Sequence, residues 1–192
     1  MDKKTFRKIC IERAKSNKNV NSYKLDKELN KILYEIIKKQ KAKRIMLYIP
    51  LKIEVNISSL ILRLRKEKKT LLVPFMRGES FSLVKYRLPL STKQFGVKEP
   101  INTNKYKHEI DLAIVPIIGT DKTLRRIGFG KGFYDRFFEK NQKRIHKTLF
   151  VGKEYCVSSK IITDDYDVKG EIYLTAKTCY KQRYLIKRKL RI

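Results

Sequence analysis

The run Thr120-Asp121-Lys122-Thr123-Leu124-Arg125-Arg126-Ile127-Gly128-Phe129-Gly130-Lys131-Gly132-Phe133-Tyr134-Asp135-Arg136 follows a short apolar segment, Leu112-Ala113-Ile114-Val115-Pro116. It leads into a helical pattern that starts near Phe133. That order predicts a strand, a glycine-rich loop and a helix N-terminus. Gly128, Gly130 and Gly132 alternate, so no Cβ there bars a ligand from the main chain. Backbone N–H groups in such a loop, with a helix dipole behind them, suit an anion and above all a phosphate. Arg125, Arg126, Lys131 and Arg136 add charge, and Asp135 offers a hard oxygen for a magnesium ion. A basic turn between two core elements is the plainer alternative. It would not require alternating glycines with flanking cations and a carboxylate.

Outward from this run, strands and helices alternate. Residues Lys3 to Ser16 space Phe6, Ile9, Cys10 and Arg13 as a helix would. A second helix, capped by Asn21 or Ser22, carries an apolar stripe of Leu25, Leu29, Ile32, Leu33, Ile36 and Ile37. Residues 44–49 read as a buried strand ended by Pro50, and residues 57–66 as a helix with Leu60, Ile61 and Leu64 inward. Glu54 lies just past that strand end, where open α/β sheets place their sites; a carboxylate at a helix start is the plain alternative. Residues 70–74, 111–116, 148–152 and 172–175 are further strands, and residues 80–86 pair as an antiparallel edge. The economical fold is a three-layer α/β/α sandwich around a mostly parallel central sheet.

At 192 residues the chain forms one domain, with a basic C-terminal extension over about 177–192 that is either frayed or laid on the surface. No segment approaches a membrane span and no signal-peptide core opens the chain, so a cytoplasmic protein is expected. Cys10, Cys156 and Cys179 are widely spaced, so reduced structural thiols are expected; with only His108 and His146 beside them, a zinc site is not. The formal net charge of +28 favours anionic partners, among them nucleic acid, nucleotides and polycarboxylates.

Three known loop motifs fit poorly. A Walker A loop needs Ser or Thr after Gly-Lys, and Gly132 follows Lys131. The Rossmann fingerprint is GxGxxG, whereas this run is GxGxG. An RNP1 strand matches only in the middle, at Gly128-Phe129-Gly130. By contrast, Arg126-Ile127-Gly128-Phe129-Gly130-Lys131-Gly132-Phe133-Tyr134-Asp135-Arg136 resembles the R-L-G-x-G-x-G-Y-Y-D-R signature of the 5-formyltetrahydrofolate cyclo-ligases, also called methenyltetrahydrofolate synthetases. Lys3 and Arg7 fit that family's N-terminal K-x-x-x-R pattern. Tyr48-Ile49-Pro50 with Glu54-Val55 is similar to its Y-x-P…E-V segment, and Phe95-Gly96 to Glu99-Pro100 to its G-x-x-E-P loop. Gly119 and Asp121, then Val151-Gly152, Asp167 and Glu171 continue the match in order. Departures fall at Thr120, at Glu171, where the family often has Asp, and after Gly152, where a common glutamine is missing.

The resemblance implies an ATP- and magnesium-dependent ligase of one-carbon metabolism. It would convert 5-formyltetrahydrofolate, with or without a polyglutamate tail, to 5,10-methenyltetrahydrofolate with release of ADP and phosphate. It further implies that Lys131 and Arg126 are catalytic, and that Lys3, Arg7, Gly128, Gly130, Gly132, Phe133 and Tyr134 join them in holding ATP. Tyr48, Glu54 and Tyr134 would contact the folate, and Asp135 and Asp167 would ligate magnesium. Two other readings are open: a basic nucleic-acid-binding module using Phe129, Phe133 and Tyr134, and a folate or nucleotide binder without turnover.

Overall fold

The computed structural model describes residues 1–16, 22–93, 96–101, 104–181 and 184–187. The expected cap Asn21 and the turn residue Phe95 fall outside them. The helices α1 (Lys3–Ser16), α2 (Ser22–Lys39) and α3 (Ser58–Lys66) form where the apolar periodicity places them. Five strands are mutually parallel. They are β1 (Arg44–Met46), β2 (Thr70–Arg77), β6 (Leu112–Pro116), β9 (Thr148–Val151) and β11 (Ile172–Leu174), in the spatial order β11-β9-β6-β1-β2.

Alternation along these strands divides the core. Ile45, Leu71, Ile114 and Leu149 face α2 and α3, with Leu33, Ile37, Leu60 and Leu64 packed on them. Met46, Leu72, Ala113, Val115 and Phe150 face the other side, where Phe137 and Phe138 of α4 (Phe133–Asn141) cover them. The sheet therefore has helices on both faces, as the βα alternation predicts. Antiparallel strands close its edges. On one side β3 (Ser80–Lys85) pairs with β2.

On the other side, β12 (Thr178–Lys181) and β13 (Tyr184–Lys187) add a hairpin to β11. The basic tail is thus neither frayed nor merely laid on the surface over these residues. Cys179 and Tyr180 are buried, and those two side chains anchor it.

Two small sheets complete the structure. The strands β4 (Leu90–Thr92) and β5 (Lys98–Pro100) form an antiparallel pair. The strands β7 (Gly119–Asp121), β8 (Arg126–Ile127) and β10 (Val157–Ser158) form a sheet ordered β10-β7-β8. This last sheet is the seat of α1, whose Phe6 and Cys10 pack with Ile118, Ile127 and Cys156. At Gly119 a Cβ would lie 3.0 Å from the Phe6 ring and 3.3 Å from Cys10 Sγ, so glycine lets the helix settle there. The thiol expectation is corrected at this contact: Cys10 and Cys156 form a disulfide, with Cα atoms 6.0 Å apart, and Cys179 is a buried free thiol. No helix among the described residues is long and apolar enough to cross a membrane.

Candidate active site

The glycine-rich run does not stay a loop throughout. Residues 119–127 fold back as the β7–β8 hairpin, with Leu124 at a positive φ of 58° in its turn. Thr120 Oγ1 bonds Arg125 O at 2.6 Å inside the hairpin, so this departure from the family pattern has a local structural role. Arg126 consequently sits on a strand and is buried, where the sequence suggested a cation of the glycine-rich loop. Its Nε donates to Pro116 O at 3.0 Å, and its guanidinium lies 4.4 Å from the centre of the Tyr134 ring. Burial lowers its pKa; Tyr134, Asp135, Glu54 and Asp167 act in the opposite sense. Arg126 is therefore the shared cation of the acidic and phenolic groups around it.

The true loop is 128–132, and its glycines are seats for guanidinium groups. A Cβ on Gly128 would collide with Arg126 Nη1. One on Gly130 would meet Arg7 Nη1 at 3.2 Å, and one on Gly132 would meet Arg136 Nη1 at 2.6 Å. Gly130 and Gly132 also carry positive φ angles of 86° and 67°, which L side chains rarely adopt. Arg7 Nε bonds Gly128 O at 2.8 Å; Arg136 bonds Lys131 O and Glu79 O, both at 2.6 Å. These arginines take the loop's carbonyl side. Among the described residues, nothing accepts a hydrogen bond from the amides of Gly128, Phe129, Gly130 or Gly132. Gly132 caps α4 with no side-chain cap bond, so the first amides of that helix are left without an intrahelical partner as well. Arginines bonded to the carbonyls of Gly128 and Lys131, with N–H groups of the same loop left without acceptors, suit an anionic ligand.

The loop borders a cleft of about 760 Å³. Arg126, Phe129, Lys131, Gly132, Phe133 and Tyr134 line one part of it, and Tyr48 and Glu54 line another. The expected folate-side residues thus share one cavity with five of the expected phosphate-side residues, Arg126, Lys131, Gly132, Phe133 and Tyr134. Phe129, Phe133 and Tyr134 wall this cavity and do not form an exposed stacking platform. Sequence reasoning assigned no role to the remaining wall, formed by Pro74, Phe75 and Met76 of β2, Phe81 of β3, and Lys93, Val97, Lys98 and Glu99 around the β4–β5 pair. Only the quoted G-x-x-E-P match pointed at Glu99.

The carboxyl of Glu54 is pushed up to about 7 by burial, against the pull of the Leu51 N–H, bonded at 2.9 Å, and of Arg126. It can hold or release a proton near neutrality. Burial also raises the Tyr48 and Tyr134 phenols, so both stay protonated, and Tyr48 donates to Val55 O at 2.9 Å.

Lys3, Arg7, Gly128, Gly130, Asp135 and Asp167 do not line the cleft. Arg7 reaches the glycine loop from α1. Lys3 Nζ pairs with Asp167 Oδ2 at 2.5 Å and with Asp164 Oδ2 at 3.0 Å. Asp135 Oδ1 accepts from Val168 N at 3.4 Å, which puts the start of α4 beside the segment carrying Asp167. Both carboxylates act on Arg126, and Asp167 Oδ2 also accepts from Asp164 N at 2.7 Å. That pair suits magnesium, which keeps several waters and takes one or two carboxylates besides a phosphate. Among the described residues no cluster of three or more His, Cys, Asp or Glu could form an all-protein metal cage. Glu171 accepts from Thr148 N at 2.7 Å between β9 and β11, so its replacement of Asp does not touch the cleft.

Known proteins similar to this chain agree with one another. The 5-formyltetrahydrofolate cyclo-ligase of Mycoplasma genitalium is 27% identical over 168 residues, covering 86% of this chain and 92% of that protein. The 5-formyltetrahydrofolate cyclo-ligase of Mycoplasma pneumoniae is 24% identical over 176 residues, covering 91% and 98%. The solution structure of the 5,10-methenyltetrahydrofolate synthetase of Aquifex aeolicus superposes with a TM-score of 0.79 at 28% identity, covering 100% of this chain and 97% of that one. The model of the 5-formyltetrahydrofolate cyclo-ligase family matches residues 1–172, from the helix that bears Lys3 and Arg7 to the first residue of β11, and the chain belongs to that family.

Proposed function

We propose that this chain closes 5-formyltetrahydrofolate to 5,10-methenyltetrahydrofolate at the expense of ATP, releasing ADP and phosphate. The observation that carries the reading is the row of unpartnered amides at Gly128, Phe129, Gly130 and Gly132, beside Lys131, at the edge of a cavity that also contains Glu54. The triphosphate lies on those amides and the α4 N-terminus, with Lys131 and the buried Arg126 offsetting charge on the transferring group. Arg7 approaches the same loop from α1, and Lys3 of that helix meets Asp167. The formyl oxygen is a poor leaving group; it takes the γ-phosphoryl group, and ADP departs. N10 then attacks the activated carbon and loses its proton, and the C–O bond breaks as phosphate leaves. Tyr48, Glu54 and Tyr134 orient the folate. No side chain becomes a covalent nucleophile, so positioning and charge stabilisation supply the rate. Asp135 and Asp167 would hold magnesium, which supplies charge neutralisation on the phosphates.

The test is the near-ultraviolet absorbance of methenyltetrahydrofolate in a mixture of protein, MgATP and 5-formyltetrahydrofolate. An ATP-dependent rise is expected. It should be suppressed at least a hundredfold in Lys131→Ala and Asp135→Asn, both of which should melt within a few degrees of the parent. A folded protein that gives no rise refutes the proposal.

A further inference from the structure

The cleft contains a second acid that the mechanism leaves idle. Glu99, in β5, is only 2% exposed yet lines the cavity; Glu54 is the one other acidic residue lining it. Its Oε1 accepts from Met76 N at 2.8 Å, a bond that ties β5 to β2. No other described group donates to it, although a carboxylate can accept about four hydrogen bonds. Phe75, Met76 and Phe81 beside it offer no side-chain donor, and Lys93 and Lys98, which line the same cavity, make no bond to it. A carboxylate buried in such a wall with one bond is poorly compensated. A ligand presenting N–H groups would complete it, and a reduced bicyclic pterin carries N–H donors on more than one edge.

We propose that Glu99 is a specificity-determining residue for the folate, accepting an N–H of its reduced ring, so that the ring is held by two acceptors, Glu54 and Glu99. This inference rests on the function proposed above. A site built to bond an N–H discriminates strongly, because a ligand without the donor leaves the buried acceptor unpaired.

Glu99→Gln separates this role from a structural one. The glutamine oxygen can still accept from Met76 N, so the strand tie survives, while the charge and half the acceptor capacity are lost. The expected result is a KM for 5-formyltetrahydrofolate raised at least tenfold, with the KM for ATP and the melting temperature little changed. Calorimetric titration with the same folate should show a matching loss of affinity. A folate KM within twofold of the parent in an active variant overturns this inference alone. Equal losses for both substrates together with a lower melting temperature also overturn it, since that is what a strand tie alone would give. A parent chain that neither binds nor converts 5-formyltetrahydrofolate removes the proposed function, and this inference with it.

Discussion

Asp121 is the residue whose replacement should be most informative about how the site is held together. It is fully buried at the end of β7, and its carboxylate takes five hydrogen bonds. Oδ1 accepts from Thr123 N at 2.9 Å and Thr123 Oγ1 at 2.5 Å. Oδ2 accepts from Ile162 N and Thr163 N, both at 3.0 Å, and from Thr163 Oγ1 at 2.5 Å. The second set pins the segment that continues to Asp164 and Asp167, the partners of Lys3. In Asp121→Asn one oxygen becomes an NH2. The better orientation keeps the oxygen on the 162–163 side and leaves Thr123 N–H without an acceptor. An orphaned buried N–H costs about 1–3 kcal/mol, and the remaining bonds weaken by roughly half once the charge is gone. The sum is about 3–5 kcal/mol, a large share of the ~5–15 kcal/mol that stabilises a typical domain. Urea unfolding at pH 7 should show this as a lower midpoint at unchanged slope.

The acid limb supplies a second reading of the same variant. Burial tends to raise the Asp121 pKa, but the bonds from Thr123 and Thr163 outweigh it and hold it below the ordinary 3.8. A depressed carboxylate contributes stability above its unfolded pKa and loses it as pH falls through the folded value. The gap between parent and variant should therefore narrow below about pH 3.8. A loss under about 1 kcal/mol at pH 7, or a gap that is constant into acid, would refute the reasoning.

Glu54 should behave in the opposite sense. Its folded pKa of about 7 lies above the ordinary 4.5, so stability falls by about 3 kcal/mol as pH rises through that window, and Glu54→Gln should flatten the profile in urea titrations. Thiol titration of the denatured, unreduced protein should find Cys179 alone, with Cys10 and Cys156 reacting only after reduction. Lys3→Met should raise the KM for ATP several-fold and cost about 1–3 kcal/mol of stability, because Asp167, whose side chain is 4% exposed, loses its cation; an unchanged melting temperature would show the pair to be incidental. Gly128→Ala should cut turnover at least tenfold, since the Arg126 guanidinium must leave its place between Pro116 O and Tyr134 to admit a methyl group.

Long periodic segments were legible in the sequence. The stripe from Leu25 to Ile37 and the apolar run from Leu112 to Pro116 could hardly be anything but a helix and a buried strand. Part of the candidate cleft was legible too, because Arg126, Phe129, Lys131, Gly132, Phe133 and Tyr134 sit in one run. Its geometry was not. The strands β7 and β8 have three and two residues, too few for any period to register, so Arg126 read as a loop cation although it is a buried one. Cys10 and Cys156 are 146 positions apart, and only the path of α1 across the small sheet brings them together. The extension from about 177 read as frayed or laid on the surface because its lysines and arginines mask Cys179 and Tyr180, the side chains that bury it. Glu99 carried no chemical signal of its own, since a carboxylate between a lysine and a proline looks like any surface turn.

The three loop glycines look equivalent in the sequence but answer to different remedies. At 130 and 132 the backbone demands the mirror-image region, so D-alanine introduced by chemical ligation would match the torsion and rigidify the unfolded chain. At 128 handedness is not the issue, and only trimming the arginine beneath it would make room. A semisynthetic protein could thus have its glycine loop stiffened at two points, while the third stays fixed by the side chain it shelters.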